Sequence, residues 1–170
     1  QVTVSGAQAC IELEAVVPAD LASLEVGAST YSLLMNSNGG VDDDLIITRM
    51  GALQFLLVVN AGCKHDDIAR LTEACKTSDV VYQDNKALMA LQGPAARAVM
   101  ARLAPETAQM VFMTGRPVSV AGIDCYVTCS GYTGEDGFEL SCDNSHAVAL
   151  ADCLLAQTEV APIGLGARDS

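Results

Sequence analysis

The chain has 170 residues, of which 51% are hydrophobic, and carries 21 acidic against 9 basic residues for a formal net charge of −12. That length and apolar content suit one large domain or two small ones, while the acidic surplus, with no basic patch, opposes a phosphate backbone as partner. No apolar run approaches the roughly 20 residues that span a bilayer, so neither a nucleic-acid nor a membrane partner is expected.

Taken in chain order, Val2 to Ser5 alternates as a strand, Gly6 turns the chain, and Ala7 to Val17 has helical spacing ahead of Pro18. Tyr31 to Met35 and Asp44 to Arg49 flank Asn36-Ser37-Asn38-Gly39-Gly40, and the apolar run Phe55 to Val59 ends at Asn60-Ala61-Gly62. These read as successive antiparallel strands. Asp66 to Lys76 carries Ile68, Leu71 and Cys75 on one helical face, and Val80 to Tyr82 returns as a strand.

The order then recurs. Leu88 to Leu91, Gly93 and the helix-like Ala95 to Leu103 mirror the opening, with Leu91-Gln92-Gly93 standing where Val4-Ser5-Gly6 stood. Val118 to Val120, Asp124 to Thr128 and Gly137 to Ser141 supply strands, and Asn144 or Ser145 can cap a helix to about Gln157. The expected class is α+β: two ferredoxin-like β-α-β-β-α-type units with antiparallel sheets, divided at 1–85 and 86–170.

Seven cysteines are an odd number with no pair at the two-residue spacing of a zinc or redox motif, and only two histidines accompany them. Reduced thiols in a reducing compartment, and no metal, are expected. Cys125 and Cys129 lie on one strand face about 13 Å apart, too far for a disulfide.

Two stretches invite chemistry. In Val41-Asp42-Asp43-Asp44-Leu45-Ile46 a glycine turn feeds three carboxylates into an apolar strand, and alternation puts Asp42 and Asp44 on one face and Asp43 on the other. A solvated hairpin tip explains the same residues. In Ser130-Gly131-Tyr132-Thr133-Gly134-Glu135-Asp136-Gly137-Phe138-Glu139-Leu140 the glycines permit close backbone approach and Tyr132 offers an aromatic face. Glu139, between two apolar residues, points either to solvent or into a pocket, where adjacent N–H groups of a flat heterocycle would satisfy it. The planar fork of Arg168 suits a carboxylate or carbonyl.

Five blocks, in order, resemble the folate-dependent aminomethyltransferases, the T-proteins of the glycine cleavage system: Gly39-Gly40 with Asp43-Asp44-Leu45-Ile46, Val59-Asn60-Ala61-Gly62-Cys63, Ala90-Leu91-Gln92-Gly93-Pro94, Gly131-Tyr132-Thr133-Gly134-Glu135-Asp136-Gly137, and Gly164 to Ser170. The resemblance implies the folate-binding aminomethyltransferase fold. It also implies transfer of a methylene group from the aminomethylated lipoyl arm of H-protein to tetrahydrofolate, with release of ammonia. Under it Asp44 is the catalytic aspartate, Glu139 grips the pterin N–H groups, and Tyr132, Tyr31, Asn60 and Arg168 line the folate and substrate site.

The family works in mitochondria and in bacterial cytoplasm, and its members carry an N-terminal segment and a C-terminal barrel-like domain that are expected to lie outside this sequence. Asp42 departs from the pattern, which has an aliphatic residue there. Within the same fold, the folate domain of dimethylglycine or sarcosine dehydrogenases is an alternative, as is a folate-binding iron-sulfur maturation factor; a non-catalytic α+β interaction module is a third.

Overall fold

The computed structural model describes residues 1–168, and the side chains of 1–167. It divides into two compact units, the first made of Gln1–Asp84 with Met113–Arg116, the second of Asn85–Phe112 and the chain from Pro117 onward.

In the first unit the elements are β1 (Val2–Ser5), α1 (Ala9–Glu14), β2 (Ser29–Met35), β3 (Val41–Gly51), β4 (Gln54–Val59), α2 (Lys64–Ala74) and β5 (Asp79–Tyr82). They form a five-stranded sheet in the order β2-β3-β4-β1-β5. Leaving out the edge strand β2, the order β3-β4-β1-β5 around two crossing helices is the ferredoxin-like arrangement. Alternation decides which face is the core. Val2, Val4, Leu34, Leu45, Ile47, Phe55 and Leu57 are buried together with Ala9 and Leu13 of α1 and Leu71 of α2, each strand contributing every second residue. Helix α1 is shorter than its apolar spacing predicts. After Glu14 the chain leaves the helix because the Glu14 carboxylate caps the next turn instead, accepting from the N–H groups of Leu21 and Ala22 at 2.7 and 2.8 Å. On the edge, the Ser29 N–H donates to the Met113 carbonyl and the Gly115 N–H to that of Gly27.

The second unit repeats the plan with β6 (Lys86–Leu91), α3 (Ala96–Leu103), β7 (Thr114–Val120, whose residues up to Arg116 count with the first unit), β8 (Ile123–Cys129), β9 (Phe138–Asp143) and α4 (Ala147–Leu155), followed by a helical turn Leu165–Arg168. Its strand order β7-β8-β9-β6 matches β2-β3-β4-β1, strand for strand. The repeated motif therefore has three strands between its helices. Strand β7 begins four residues before Val118, because Gly115 and Pro117 mask a strand in sequence. Phe138, Leu140 and Cys142 of β9 enter a core with Val99, Met100, Leu150 and Leu154 of the helices. Cys125, Cys129 and Cys142 are buried thiols in that same core, and none of the seven cysteines is bridged. The fold thus confirms an α+β protein built on antiparallel sheets.

Candidate functional site

The first constellation sits where β3 leaves the β2–β3 turn. Asn36 builds that turn: its Oδ1 accepts from the Asn38 and Gly40 N–H groups, and its Nδ2 donates to Asp42 Oδ1 at 2.8 Å. Gly39 adopts φ +76°, a backbone that glycine tolerates and most residues resist. Register with β2 then fixes the carboxylates. Asp43 lies opposite the buried Leu34, while Asp44 lies opposite Leu33 on the other face.

Asp44 is held from two sides. Tyr31, two residues from Leu33 along β2 and on the same face, donates its hydroxyl to Asp44 Oδ2 at 2.8 Å. Asn60, just past the end of β4, donates Nδ2 to Asp44 Oδ1 at 2.6 Å and also to Asp43 Oδ1 at 2.8 Å. The structure thus brings together three of the sequence-predicted residues, Tyr31, Asp44 and Asn60. A carboxylate oxygen accepts more than one hydrogen bond, so both Asp44 oxygens retain capacity for an incoming donor.

Asp43 faces inward. Its Oδ1 accepts from the Asp44 N–H at 2.8 Å as well as from Asn60. Beside it stands Asp67 of α2, only 4% exposed, whose carboxyl is close enough to that of Asp43 for each to shift the other. Burial and the neighbouring Asp43 carboxylate push Asp67 up to about 6, with Asp66 and Asp42 adding to the effect. Burial works against the Asp43 charge too, yet the hydrogen bonds from the Asp44 N–H and Asn60, with the Cys63 and Asp67 side chains beside it, prevail and hold its carboxyl below the usual range. The thiol of Cys63 is raised, first by the Asp43 charge. Sequence reading missed Asp67. Its position seven residues after Asn60, one turn into a helix with three other polar residues at its start, looks like ordinary first-turn acid.

The second constellation is the loop from β8 to β9. Glu139 lies on the face opposite Phe138 and Leu140, paired across the strands with Thr128 and Ala90. The buried Ser130 hydroxyl donates to Glu139 Oε2 at 3.0 Å and lies 3.0 Å from Thr128 Oγ1, which then donates to it. Because Ser130 spends its one proton on the carboxylate, the three side chains form a directed chain that ends on Glu139.

Two residues outside the glycine motif shape this loop. Gln92 donates Nε2 to the carbonyls of Ser130 and Phe138 at 3.0 and 3.4 Å. Its carboxamide fills the space where a Cβ on Gly131 or Gly137 would lie, which is the physical reason for glycine at both positions. Arg97 of α3 clamps Asp136 through Nε and Nη2 at 3.0 and 2.8 Å while also donating to the Ala108 and Met110 carbonyls. That carboxylate raises the Arg97 guanidinium further above its ordinary value. Tyr132 at the loop tip is 74% exposed. The side chain of Arg168, the remaining predicted contact, lies outside the described residues. Among the described residues no cluster of three or more potential metal ligands occurs.

The family model described as "GCVT N-terminal domain" matches residues 1–170. The mitochondrial aminomethyltransferase of Dictyostelium discoideum is 42% identical over 92% of this chain and 43% of its own, and that of Pisum sativum 41% identical over 93% and 41%. The crystal structure of the glycine cleavage system aminomethyltransferase T from Bartonella henselae superposes with a TM-score of 0.88 at 39% identity, covering 99% of this chain and 46% of that one. A heterotetrameric sarcosine oxidase from Corynebacterium shares the fold alone, at a TM-score of 0.63 and 18% identity. The chain spans less than half the length of the aminomethyltransferases it matches. With the model matched from end to end, two relatives above 40% identity and one superposed structure, the chain belongs to the GCVT N-terminal domain family of aminomethyltransferases.

Proposed function

We propose that the protein carrying this chain is the aminomethyltransferase of a glycine cleavage system, moving the methylene carbon from aminomethyl-lipoyl H-protein to tetrahydrofolate to give 5,10-methylenetetrahydrofolate and ammonia. Residues 1–85 supply the catalytic acid turn and 86–170 the pterin-binding motif. The observation that carries this reading is Asp44. It is a carboxylate locked on both oxygens by Tyr31 and Asn60 at the half-buried start of a strand. A charge fixed in this way needs no reorganisation when positive charge develops on the transferred carbon and its amine.

Tetrahydrofolate supplies two neighbouring nitrogens for the carbon to bridge. Glu139 accepts from the N–H groups of the pterin, and the Thr128–Ser130 hydroxyl chain holds the carboxylate in one rotamer for that purpose. Tyr132 lines the pterin pocket, and Arg168 contacts the folate or the substrate. Asp44 orients the attacking amine. The lipoylated H-protein is the macromolecular partner, and the mitochondrion is the compartment in a eukaryote, as the names of the matched relatives have it.

Calorimetric titration of tetrahydrofolate into the full-length protein tests the reading. Saturable binding that Glu139→Gln weakens is expected. No heat of binding at millimolar folate would favour a non-catalytic module instead.

A further inference from the structure

We propose that Asp67 is a positioning residue for Asp44: its carboxyl carries a proton, donates it to Asp43, and thereby fixes the oxygen of Asp43 that holds the Asp44 N–H and the Asn60 amide. This rests on the functional reading given for Asp44. Asp67 does not touch the reacting atoms; it acts through Asp43 and Asn60.

The geometry requires a shared proton. Oδ2 of Asp43 and Oδ2 of Asp67 are both buried and accept from no donor among the described residues, and the two carboxyls are close enough for the Asp43 charge to act on Asp67. Two acceptors cannot satisfy each other, and a buried carboxylate without a donor is costly. One proton between them resolves both vacant acceptors. It belongs on Asp67, since Asp43 already accepts from the Asp44 N–H and from Asn60, bonds that favour its ionised form.

Among the described residues no cation pairs with Asp67. Facing Asp67 are Asp42 and Asp43 from β3, Asp66 on its own helix and the Cys63 thiol at the helix start. Lys64 stacks over the Tyr82 ring at 6.0 Å. Arg70 donates to the Met35 carbonyl and pairs with Glu73, and His65, two residues back, is turned about 200° around the helix. Loss of the proton would set two carboxylates face to face at the base of the Asp44 clamp.

The full-length protein tests this with two variants and two measurements. Asp67→Asn keeps a donor toward Asp43 at every pH, whereas Asp67→Leu has none. In steady-state assays of aminomethyl transfer, Asp67→Asn is expected to keep kcat within about threefold at pH 5.5, and the ratio of its kcat to wild type to rise at least about fivefold by pH 8.5. Asp67→Leu is expected to lose at least about thirtyfold in kcat with KM for folate within threefold. A ratio flat with pH overturns the proposal. Carbon-13 NMR titration of the aspartate carboxyls gives a readout independent of turnover: one carboxyl ionising well above the others, and absent in Asp67→Asn, is expected. If all aspartates titrate in the ordinary range, the proposal fails, even if Asp67→Leu does not fold. If wild type shows no transfer at all, the functional reading fails while the NMR titration still decides the shared proton.

Discussion

The Tyr31 hydroxyl donates to Asp44 Oδ2 at 2.8 Å across the β2–β3 pair, on the diagonal of the Leu33–Asp44 register. Neither residue alone announces chemistry, and the register is what makes them neighbours. Tyr31→Phe removes the hydroxyl and keeps the ring. It should lower kcat about tenfold, the equivalent of about 1.4 kcal/mol for one hydrogen bond to a charged group, with the melting temperature unchanged. Steady-state kinetics beside a thermal scan checks both halves of that statement.

Glu139→Gln replaces the carboxylate that would accept the pterin N–H groups by a neutral amide. The dissociation constant for tetrahydrofolate should rise about thirtyfold, or about 2 kcal/mol. Ser130→Ala, which only releases one carboxylate oxygen, should raise it about threefold to tenfold by the cost of a single positioning hydrogen bond. Equal effects from the two would contradict the ranking, and titration calorimetry reads it directly.

Gly137→Ala would force the Gln92 carboxamide out of its place against the loop, with loss of its bonds to the Ser130 and Phe138 carbonyls. Overpacking and two lost hydrogen bonds together should cost about 2 to 4 kcal/mol of stability. Gln92→Leu, which loses the bonds without the overlap, should cost less. Urea unfolding of the two variants distinguishes these contributions.

Asp67 makes stability depend on pH. Its folded-state value, about 6, lies above its ordinary 3.8, so the folded protein binds the extra proton. The stabilisation is therefore fully present below 3.8 and is lost as pH rises through 6. Between pH 5 and pH 7.5 the loss amounts to about 1.4 kcal/mol by linkage. Wild type should lose that stability relative to Asp67→Asn over the same interval, as measured by denaturant unfolding at both pH values; parallel profiles would contradict it.

The β7–β8 turn offers a test apart from the site. Ala121 and Gly122 have φ of 50° and 84°, a pair of positive values characteristic of a type I′ hairpin. Alanine is strained there. Ala121→Gly or Ala121→Asn should stabilise the protein by about 0.5 to 1 kcal/mol, visible as a higher melting temperature.

Much of this was legible in the sequence because periodicity is a local signal. Alternating Val2 and Val4, the apolar run ending at Val59 and the mirrored Leu91-Gln92-Gly93 gave the strands and the repeat. Strand β7 was legible only in its second half, since Gly115 and Pro117 hide the pairing made by its start. The candidate site was legible where one motif carried its residues, as with the proposed Asp44 and Glu139. Asp67, Gln92 and Arg97 act across 24, 38 and 39 residues of chain, on Asp43, Ser130 and Asp136. Their roles exist only once the sheet has brought those segments together, so a buried carboxyl, an amide filling two glycine positions and a guanidinium clamp all looked like ordinary polar residues.

Aminomethyl transfer measured on the full-length protein with Asp44→Asn and Asp42→Leu tests the central claim most directly. Asp42 accepts from Asn36 within the turn, whereas Asp44 holds the fixed charge between Tyr31 and Asn60. Asp44→Asn should largely abolish turnover, by about a thousandfold or more if its preorganised charge supplies about 4 kcal/mol, while Asp42→Leu preserves or improves it. Equal losses from the two substitutions would contradict the assignment of Asp44.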